Sequence, residues 1–231
     1  MEYTIEGGSF PIVICKLQKG ESMKDDSGAM AFMSSQMKME TSTGGGFLKG
    51  LGRALSGDSM FVNTFTAEDD NQEVGFSSCT PGKIIPVELD GSTAIIGQKS
   101  SFLAAEESVE INMHFRKKLG SGIFGGEGFI LQKFTGKGMV FLEIDGEVIE
   151  RDLQPGEKLL VDSGHVAALD ESVDFDIERV KGAKNILFGE GLFFAKVTGP
   201  GKIWIQTMPI TKLAEALIPF MPTSSSGGFD F

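Results

Sequence analysis

Apolar and polar residues alternate along two corresponding stretches of the chain. In residues 173–178, Val, Phe and Ile alternate with Asp, Asp and Glu, and in 109–113 Val, Ile and Met alternate with Glu and Asn. A period of two places the apolar side chains on one face of a strand and the polar side chains on the other. Both stretches are predicted to be half-buried β-strands. An earlier stretch, with Met37 and Met39 in the apolar phase, is predicted to be a third.

A glycine-rich turn follows each of the two clearer strands. Residues 123–138 read IFGGEGFILQKFTGKG and residues 186–201 read ILFGEGLFFAKVTGPG, so the two align without a gap. A weaker copy, SGDSMFVNTFT, occupies residues 56–66. Self-similarity of this kind is typical of folds assembled from repeated units. The sequence therefore predicts three related β-units with an approximately threefold arrangement, covering about residues 10–90, 91–158 and 159–210.

The remaining segments complete a single predicted domain. Residues 209–219 are bracketed by prolines and place two leucines one turn apart, which predicts a short C-terminal helix. Residues 46–55 have a helical spacing of apolar residues, but three glycines make a loop an open alternative. Residues 223–231 are rich in Ser and Gly and are predicted to be a flexible tail. We expect one β domain over residues 1–222.

Composition indicates a soluble intracellular protein. The chain has 231 residues, 31 of them glycine, and all-β folds of this length often form one domain. No stretch approaches the roughly 18 apolar residues of a membrane-spanning helix, and the first residues do not resemble a secretory signal. Cys15 and Cys79 are too few for a disulfide framework. We therefore expect a cytoplasmic protein without a transmembrane segment.

The sequence offers little reactive chemistry. A metal site of the β-helix oxygenase type needs two or three neighbouring imidazoles, whereas His114 and His165 are the two histidines of the chain and are expected at the surface. The G-x-G-x-x-G match at 120–125 precedes a predicted strand rather than the helix that binds pyrophosphate. We expect no catalytic residue, no cofactor and no metal.

The charge of the chain disfavours nucleic acid as a partner. The net charge is −11, whereas proteins that bind nucleic acid neutralise phosphates with Lys and Arg. Arg116, Lys117 and Lys118, with Lys133 and Lys137, are the candidate basic cluster. This cluster is too small to change the expectation.

A family resemblance rests on the turns and on two further motifs. The Gly-Glu-Gly turn before a Phe/Leu-rich strand, TGPGKIWIQ at 198–206 and FVNTFT at 61–66 resemble the bacterial branch of the altered inheritance of mitochondria protein 24 family. The resemblance extends roughly from Tyr3 to Pro219. It implies an all-β fold like that of the tryptophan RNA-binding attenuation protein (TRAP), a relative of the double-stranded β-helix. It implies no catalytic residues.

These observations predict a binding or assembly module rather than an enzyme. Edge strands of such sheets are often satisfied by a neighbouring chain, so we expect a homo-oligomer. One alternative is a small-ligand-binding protein or enzyme with a pocket inside the β-structure. A second alternative is peripheral membrane contact through aromatic residues beside the turns. These aromatic residues are Phe124, Phe129, Phe188, Phe193 and Phe194.

The two Gly-Glu-Gly turns are possible interaction sites. Their glycines are predicted to adopt positive φ, which a side chain disfavours. Their glutamates serve either the turn itself or contact with a partner, and the sequence leaves both roles open. The turns consist of Gly126, Glu127 and Gly128 and of Gly189, Glu190 and Gly191.

Overall fold

The protein is all-β, as the sequence predicts, with antiparallel sheets and, in its described part, one short α-helix. A computed structural model describes residues 1–26, 28–42, 62–117, 128–179 and 193–220. The helix, α1, covers Ile210–Leu217 and follows Pro209, which confirms the predicted C-terminal helix. The strands in chain order are β1 Glu2–Glu6, β2 Ile12–Leu17, β3 Ser22–Asp26, β4 Met30–Met33, β5 Met37–Ser42, β6 Val62–Ala67, β7 Gln72–Ser77, β8 Gly82–Asp90, β9 Ile95–Gln98, β10 Phe102–Glu106, β11 Val109–Lys117, β12 Phe129–Asp145, β13 Val148–Leu153, β14 Lys158–Asp162, β15 Val166–Asp170, β16 Asp174–Arg179, β17 Phe193–Thr198 and β18 Gly201–Gln206.

Three consecutive groups of strands have the same set of pairings. In the first group β7 lies between β2 and β4, and β6 lies between β3 and β5. In the third group β18 lies between β13 and β15, and β17 lies between β14 and β16. In the second group the long strand β12 takes both central roles. Its second half pairs with β8 and β10, and its first half pairs with β9 and β11.

The groups are joined edge to edge by two further pairings. Strand β3 of the first group pairs with β10 of the second, with Lys24 opposite Ala105. Strand β9 of the second group pairs with β15 of the third, with Ile96 opposite Leu169. These two joints link most of the strands into one eleven-stranded sheet.

The core consists of three clusters of buried side chains between the sheets. Aromatic pairs occur in each cluster. Phe65 and Phe76 pack edge to face at a centroid distance of 5.5 Å, and Phe129 stacks on Phe175 at 5.5 Å. Phe129 is fully buried, so this candidate for membrane contact belongs to the core instead. Burying a side chain of this size contributes about 2–3 kcal/mol.

The predicted alternation of β16 is confirmed, whereas two methionines in the predicted apolar phase are more exposed than expected. Along β16 the acidic side chains are exposed, and Ile177 is buried. On β11, Met113 is 43% exposed. The register with β12 shifts after it, between Met113 and Phe115, and Phe115 packs against Phe129 in the core. Met39 is also 43% exposed. The segments 46–55 and 223–231 lie outside the described residues.

Candidate functional site

In the part of the chain that the structure describes, two strand edges lack the partner that the corresponding strands of the other groups have. Strand β14 occupies in the third group the place of β3 and β9, each of which pairs with a strand of the next group. Strand β4 occupies the place of β10 and β15, with its register shift between Met30 and Phe32 where theirs fall between Phe102 and Ala104 and between Val166 and Ala168. Within the described residues, β4 pairs with β7 alone and β14 with β17 alone. We call the free edges of β4 and β14 the open seam.

Large apolar side chains line the open seam. The paired strands carry Ala104 and Ala168 at the shifted position, and both are fully buried. Strand β4 carries Phe32 there, which is 41% exposed, and Leu160 on β14 is 58% exposed. The Phe32 ring lies over Gly75 of β7, where a Cβ would come within 2.4 Å of the ring. Exposed apolar strand edges are surfaces on which another strand can pair.

A cavity of about 370 Å³ lies where the turns after β3, β9 and β14 converge. Its size falls within the range of small-molecule sites. Strand ends, the first residues of β12 and the start of α1 form the remaining walls. The lining residues are Asp26, Gln98, Lys99, Ser100, Gly128, Ile130, Asp145, Gly164, Gln206, Pro209, Ile210 and Thr211.

Most polar groups beside the cavity are held by hydrogen bonds within the fold. The Asp145 carboxylate accepts a hydrogen bond from the Thr80 hydroxyl and another from the Ile210 backbone N–H at 2.7 Å. Gln206 accepts from the Asp145 N–H at 3.2 Å through Oε1 and donates to the Gly164 carbonyl at 2.8 Å through Nε2. These bonds tie α1 and the turn after β14 to the ends of the central strands.

Gln98 is the exception among the residues that line the cavity. It ends β9, its residue is 5% exposed, and its Oε1 has no hydrogen-bond partner among the described residues. Leaving a buried acceptor unsatisfied costs about 1–3 kcal/mol. The backbone around it is fixed, because the Ser101 hydroxyl bonds to the Gln98 carbonyl at 2.7 Å and lies 2.8 Å from the Ala167 carbonyl.

Two acidic residues lie within two positions of cavity-lining residues along the chain, and burial raises the pKa of each. Asp25 is fully buried, and burial raises the pKa of its carboxyl to about 6. Hydrogen bonds to Asn63 on β6 and from the Met30 N–H, which lies 3.2 Å from Oδ2, lower the pKa and so oppose this shift. Oδ1 has no hydrogen-bond partner among the described residues. Burial likewise raises the pKa of Glu143 to about 7, against the Ser78 hydroxyl that donates to it at 2.7 Å.

The predicted site residues fall partly inside and partly outside the described structure. Gly128 lines the cavity with φ of +86°, which agrees with the positive φ predicted for it. The other five residues of the Gly-Glu-Gly turns lie outside the described residues: Gly126, Glu127, Gly189, Glu190 and Gly191. Of the proposed membrane-contact residues, Phe193 and Phe194 are partly buried, whereas Phe124 and Phe188 lie outside the described residues.

One histidine lies at the surface and the other is partly buried. His114 is exposed on β11, as predicted. His165 was predicted at the surface, which is wrong, because it is half-buried and its Nδ1 lies 2.7 Å from the Gln206 carbonyl oxygen. Among the residues that the structure covers, no group of three His, Cys, Asp or Glu side chains is arranged to hold a metal ion.

Two lysines of the candidate basic cluster are engaged with acidic residues and backbone groups, and Lys118 of this cluster lies outside the described residues. Lys133 forms an ion pair with Glu171. Lys117 donates to the Ile177 carbonyl at 2.6 Å and lies 3.9 Å from Asp176. Their charges are therefore compensated locally. Over the described ranges, no helix combines the length and the apolar character that crossing a bilayer requires.

Comparisons with known proteins cover nearly the whole chain. A family model described as mitochondrial biogenesis AIM24 matches residues 3–208. An uncharacterized protein of Streptococcus pyogenes serotype M6 is 30% identical over an alignment of 236 positions, which covers 98% of this chain and 93% of that protein. The X-ray crystal structure of a Streptococcus pyogenes protein from the Northeast Structural Genomics Consortium has a TM-score of 0.79 at 26% identity, covering 95% of this chain and 99% of that one. The similarity therefore concerns the entire fold rather than an isolated motif.

Proposed function

The chain belongs to the mitochondrial biogenesis AIM24 family, as its motifs predict, and we propose that it is a non-enzymatic, self-associating binding module. We further propose that it consists of three related β-units in a TRAP-like, approximately threefold arrangement. The observation that carries the proposal is the open seam, at which two strand edges have, among the described residues, no partner like those of the corresponding strands. The two free cysteines, Cys15 and Cys79, agree with a reduced cytoplasmic setting.

Hydrogen bonds at corresponding turns support the relationship between the first and third units. The Gln18 N–H donates to the Glu21 carboxylate at 2.9 Å, and the Gln154 N–H donates to the Glu157 carboxylate at 2.8 Å. In each turn the backbone N–H of the glutamate also donates a hydrogen bond to the backbone carbonyl of the glutamine at 2.9 Å. Two segments that are similar in sequence thus form the same turn with the same bonds.

A second pair of bonds supports the relationship between the second and third units. The Met139 N–H donates to the Glu106 carboxylate at 2.6 Å, and the Lys202 N–H donates to the Asp170 carboxylate at 2.7 Å. Each acid is the last residue of its strand, β10 or β15, and each donor lies in the neighbouring strand of its unit. The acids therefore have the same role in the two units.

The way in which the units join supports the proposed self-association. Units one and two join through β3 and β10, and units two and three join through β9 and β15. By the same rule β14 would join β4, with Leu160 opposite Met33. We propose that β14 of one copy pairs with β4 of the next, because this contact would bury the exposed Phe32 and Leu160 and satisfy both backbone edges. A head-to-tail contact of this kind closes into a ring or extends into a chain of subunits.

The test compares the size of the assembly in two charge-introducing variants. Leu160→Lys places an ammonium group on the open seam, and Ile149→Lys places one on β13, an edge strand outside the seam whose Ile149 is 38% exposed. Light scattering coupled to size-exclusion chromatography is expected to show an oligomer for the wild type and for Ile149→Lys. Leu160→Lys is expected to be a folded monomer. A monomeric wild type, or an oligomer that survives Leu160→Lys, would contradict the proposal.

The wild type and the Leu160→Lys variant can also test the alternative, which is peripheral membrane contact. Sedimentation with vesicles of zwitterionic and anionic lipid separates the two cases. The self-association proposal expects the protein to remain in the supernatant with both. Binding that Leu160→Lys abolishes would assign the open seam to a membrane rather than to a second copy.

A further inference from the structure

We propose that the Phe32 ring is the aromatic anchor of the open seam and that it packs against the core cluster of the third group of strands in a neighbouring copy. The proposal rests on the self-association proposed above and assigns the side chain that carries it. Its basis is the pair of joints within the chain, because each of them places an aromatic ring at the corresponding position.

The two joints within the chain share one combination of residues at the register shift. In the second group Ala104 on β10 lies opposite Phe141 on β12. In the third group Ala168 on β15 lies opposite Trp204 on β18. Each joint therefore combines a small residue on the joining strand with an aromatic residue on the strand beside it.

Each of these aromatic rings packs against the group that precedes its own. Phe141 is fully buried in a cluster formed largely by the first group, and its ring centroid lies 5.0 Å from that of Tyr3 on β1. Trp204 packs against a cluster formed largely by the second group. An aromatic side chain of one group thus helps to close the core of the group before it.

The first group has the same combination with the two residues exchanged. At its register shift Phe32 on β4, the strand of the open seam, lies opposite Gly75 on β7. The Phe32 ring lies over Gly75 and occupies the space that a side chain on β7 would need. The ring is 41% exposed, whereas the corresponding Phe141 is fully buried. The seam strand therefore supplies the aromatic ring that the central strand supplies at the other joints.

The third group has apolar surface to receive such a ring. The sequence repeat aligns Val197 on β17 with Phe134 on β12, so the third group has the smaller side chain at this position. Leu159 lies opposite Val197 as Ile95 lies opposite Phe134. Ile95 is buried, whereas Leu159 is partly exposed. Among the described residues, the cluster that contains Val197 includes no side chain of the first group.

The register of the two joints brings the ring to this surface. When it is applied to β14 and β4, Phe32 lies opposite Val161 of the neighbouring copy. Val161 belongs to the cluster of the third group, and Leu159, two residues earlier, faces the same side of β14. The Phe32 ring would be buried against both side chains. Buried aromatic side chains near the centre of an interface carry much of its binding free energy.

The test measures the dissociation constant of the oligomer by sedimentation velocity over a range of concentrations. Phe32→Ala is expected to raise this constant on the order of thirtyfold, the effect of removing an aromatic anchor. The matched control is Phe10→Ala, which removes a ring that is 70% exposed outside the seam and is expected to assemble as the wild type does. An unchanged constant for Phe32→Ala, or an equal loss in Phe10→Ala, would overturn the anchor and leave self-association standing. A monomeric wild type would overturn both proposals.

The double variant Phe32→Ala with Gly75→Phe tests the exchange of the two positions. It gives the first group the alanine and the aromatic residue of the other joints, and it removes the ring that a Cβ at Gly75 would meet most closely. It is expected to regain most of the affinity that Phe32→Ala loses. A double variant that is folded by circular dichroism and assembles as weakly as Phe32→Ala would overturn the equivalence of the positions.

Phe32→Leu replaces Phe32→Ala if the latter does not fold, because it keeps an apolar side chain and removes the ring. Its dissociation constant is expected to rise on the order of tenfold. A constant equal to that of the wild type would overturn the role assigned to the ring.

Discussion

The buried carboxyl of Asp25 predicts a specific dependence of stability on pH. Burial raises its pKa from 3.8 to about 6 in the folded protein, while the unfolded chain releases the proton near the ordinary value. The stabilisation from this group is therefore fully present below the unfolded pKa and is lost as the pH rises through the folded pKa. Each pKa unit corresponds to about 1.36 kcal/mol, so the loss amounts to about 3 kcal/mol between pH about 4 and pH about 8.

The variant Asp25→Asn isolates this contribution because its side chain has a similar shape and does not ionise. We expect the free energy of unfolding of the variant, relative to the wild type, to increase by about 3 kcal/mol from pH about 4 to pH about 8. The raised pKa of Glu143 acts in the same direction, but it is present in both proteins and cancels. Guanidinium unfolding followed by circular dichroism at each pH measures the difference.

Asp174→Asn is the control, since Asp174 is exposed on β16 and its loss changes the net charge by the same amount. This control should alter the pH profile by far less than Asp25→Asn. Parallel profiles for the wild type and Asp25→Asn would show that the Asp25 carboxyl is not held neutral by the core. The physical account of its environment would then be wrong.

Two further predictions follow from local environments. Cys79 is exposed, whereas Cys15 is fully buried and burial raises its pKa to about 12, so intact-mass analysis after iodoacetamide should show one label in the folded protein and two after unfolding. Gly128 has φ of +86°, so Gly128→Val should lower the melting temperature, whereas the double variant Glu127→Gln with Glu190→Gln should melt and assemble as the wild type does if these turns are purely architectural.

The sequence predicts strands well where one face is buried and the other is solvated. Residues 173–178 show this, because the apolar residues mark the buried face and the acidic residues mark the solvated face. Strand β16 has the predicted alternation. The same rule does not extend through β11, where the register shift between Met113 and Phe115 changes the phase of the residues after Met113. A shift of this kind depends on the opposite strand, so the sequence of β11 alone does not contain it.

The cavity was beyond the reach of sequence reasoning for a related reason. Gln98, Asp145 and Gln206 belong to three strands that lie far apart along the chain, and none of them forms a recognisable motif. The pairings of β9 with β12 and with β15, which are set by the tertiary fold, bring their ends to one place. The sequence did indicate one wall of the site, because Gly128 belongs to a turn singled out by its similarity to another. The aromatic residues beside those turns were also singled out, yet Phe129 is in the core, and composition alone does not separate core from surface.

The open seam and the cavity share one structural element, strand β14. Its edge carries Leu160, and the turn that follows its last residue, Asp162, supplies Gly164 to the cavity wall. Strand β14 pairs with β17 along its whole length, and hydrogen bonds to Asp162 and Gln206 already hold the Gly164 turn. Pairing of β14 with a second copy is therefore expected to leave the cavity wall unchanged.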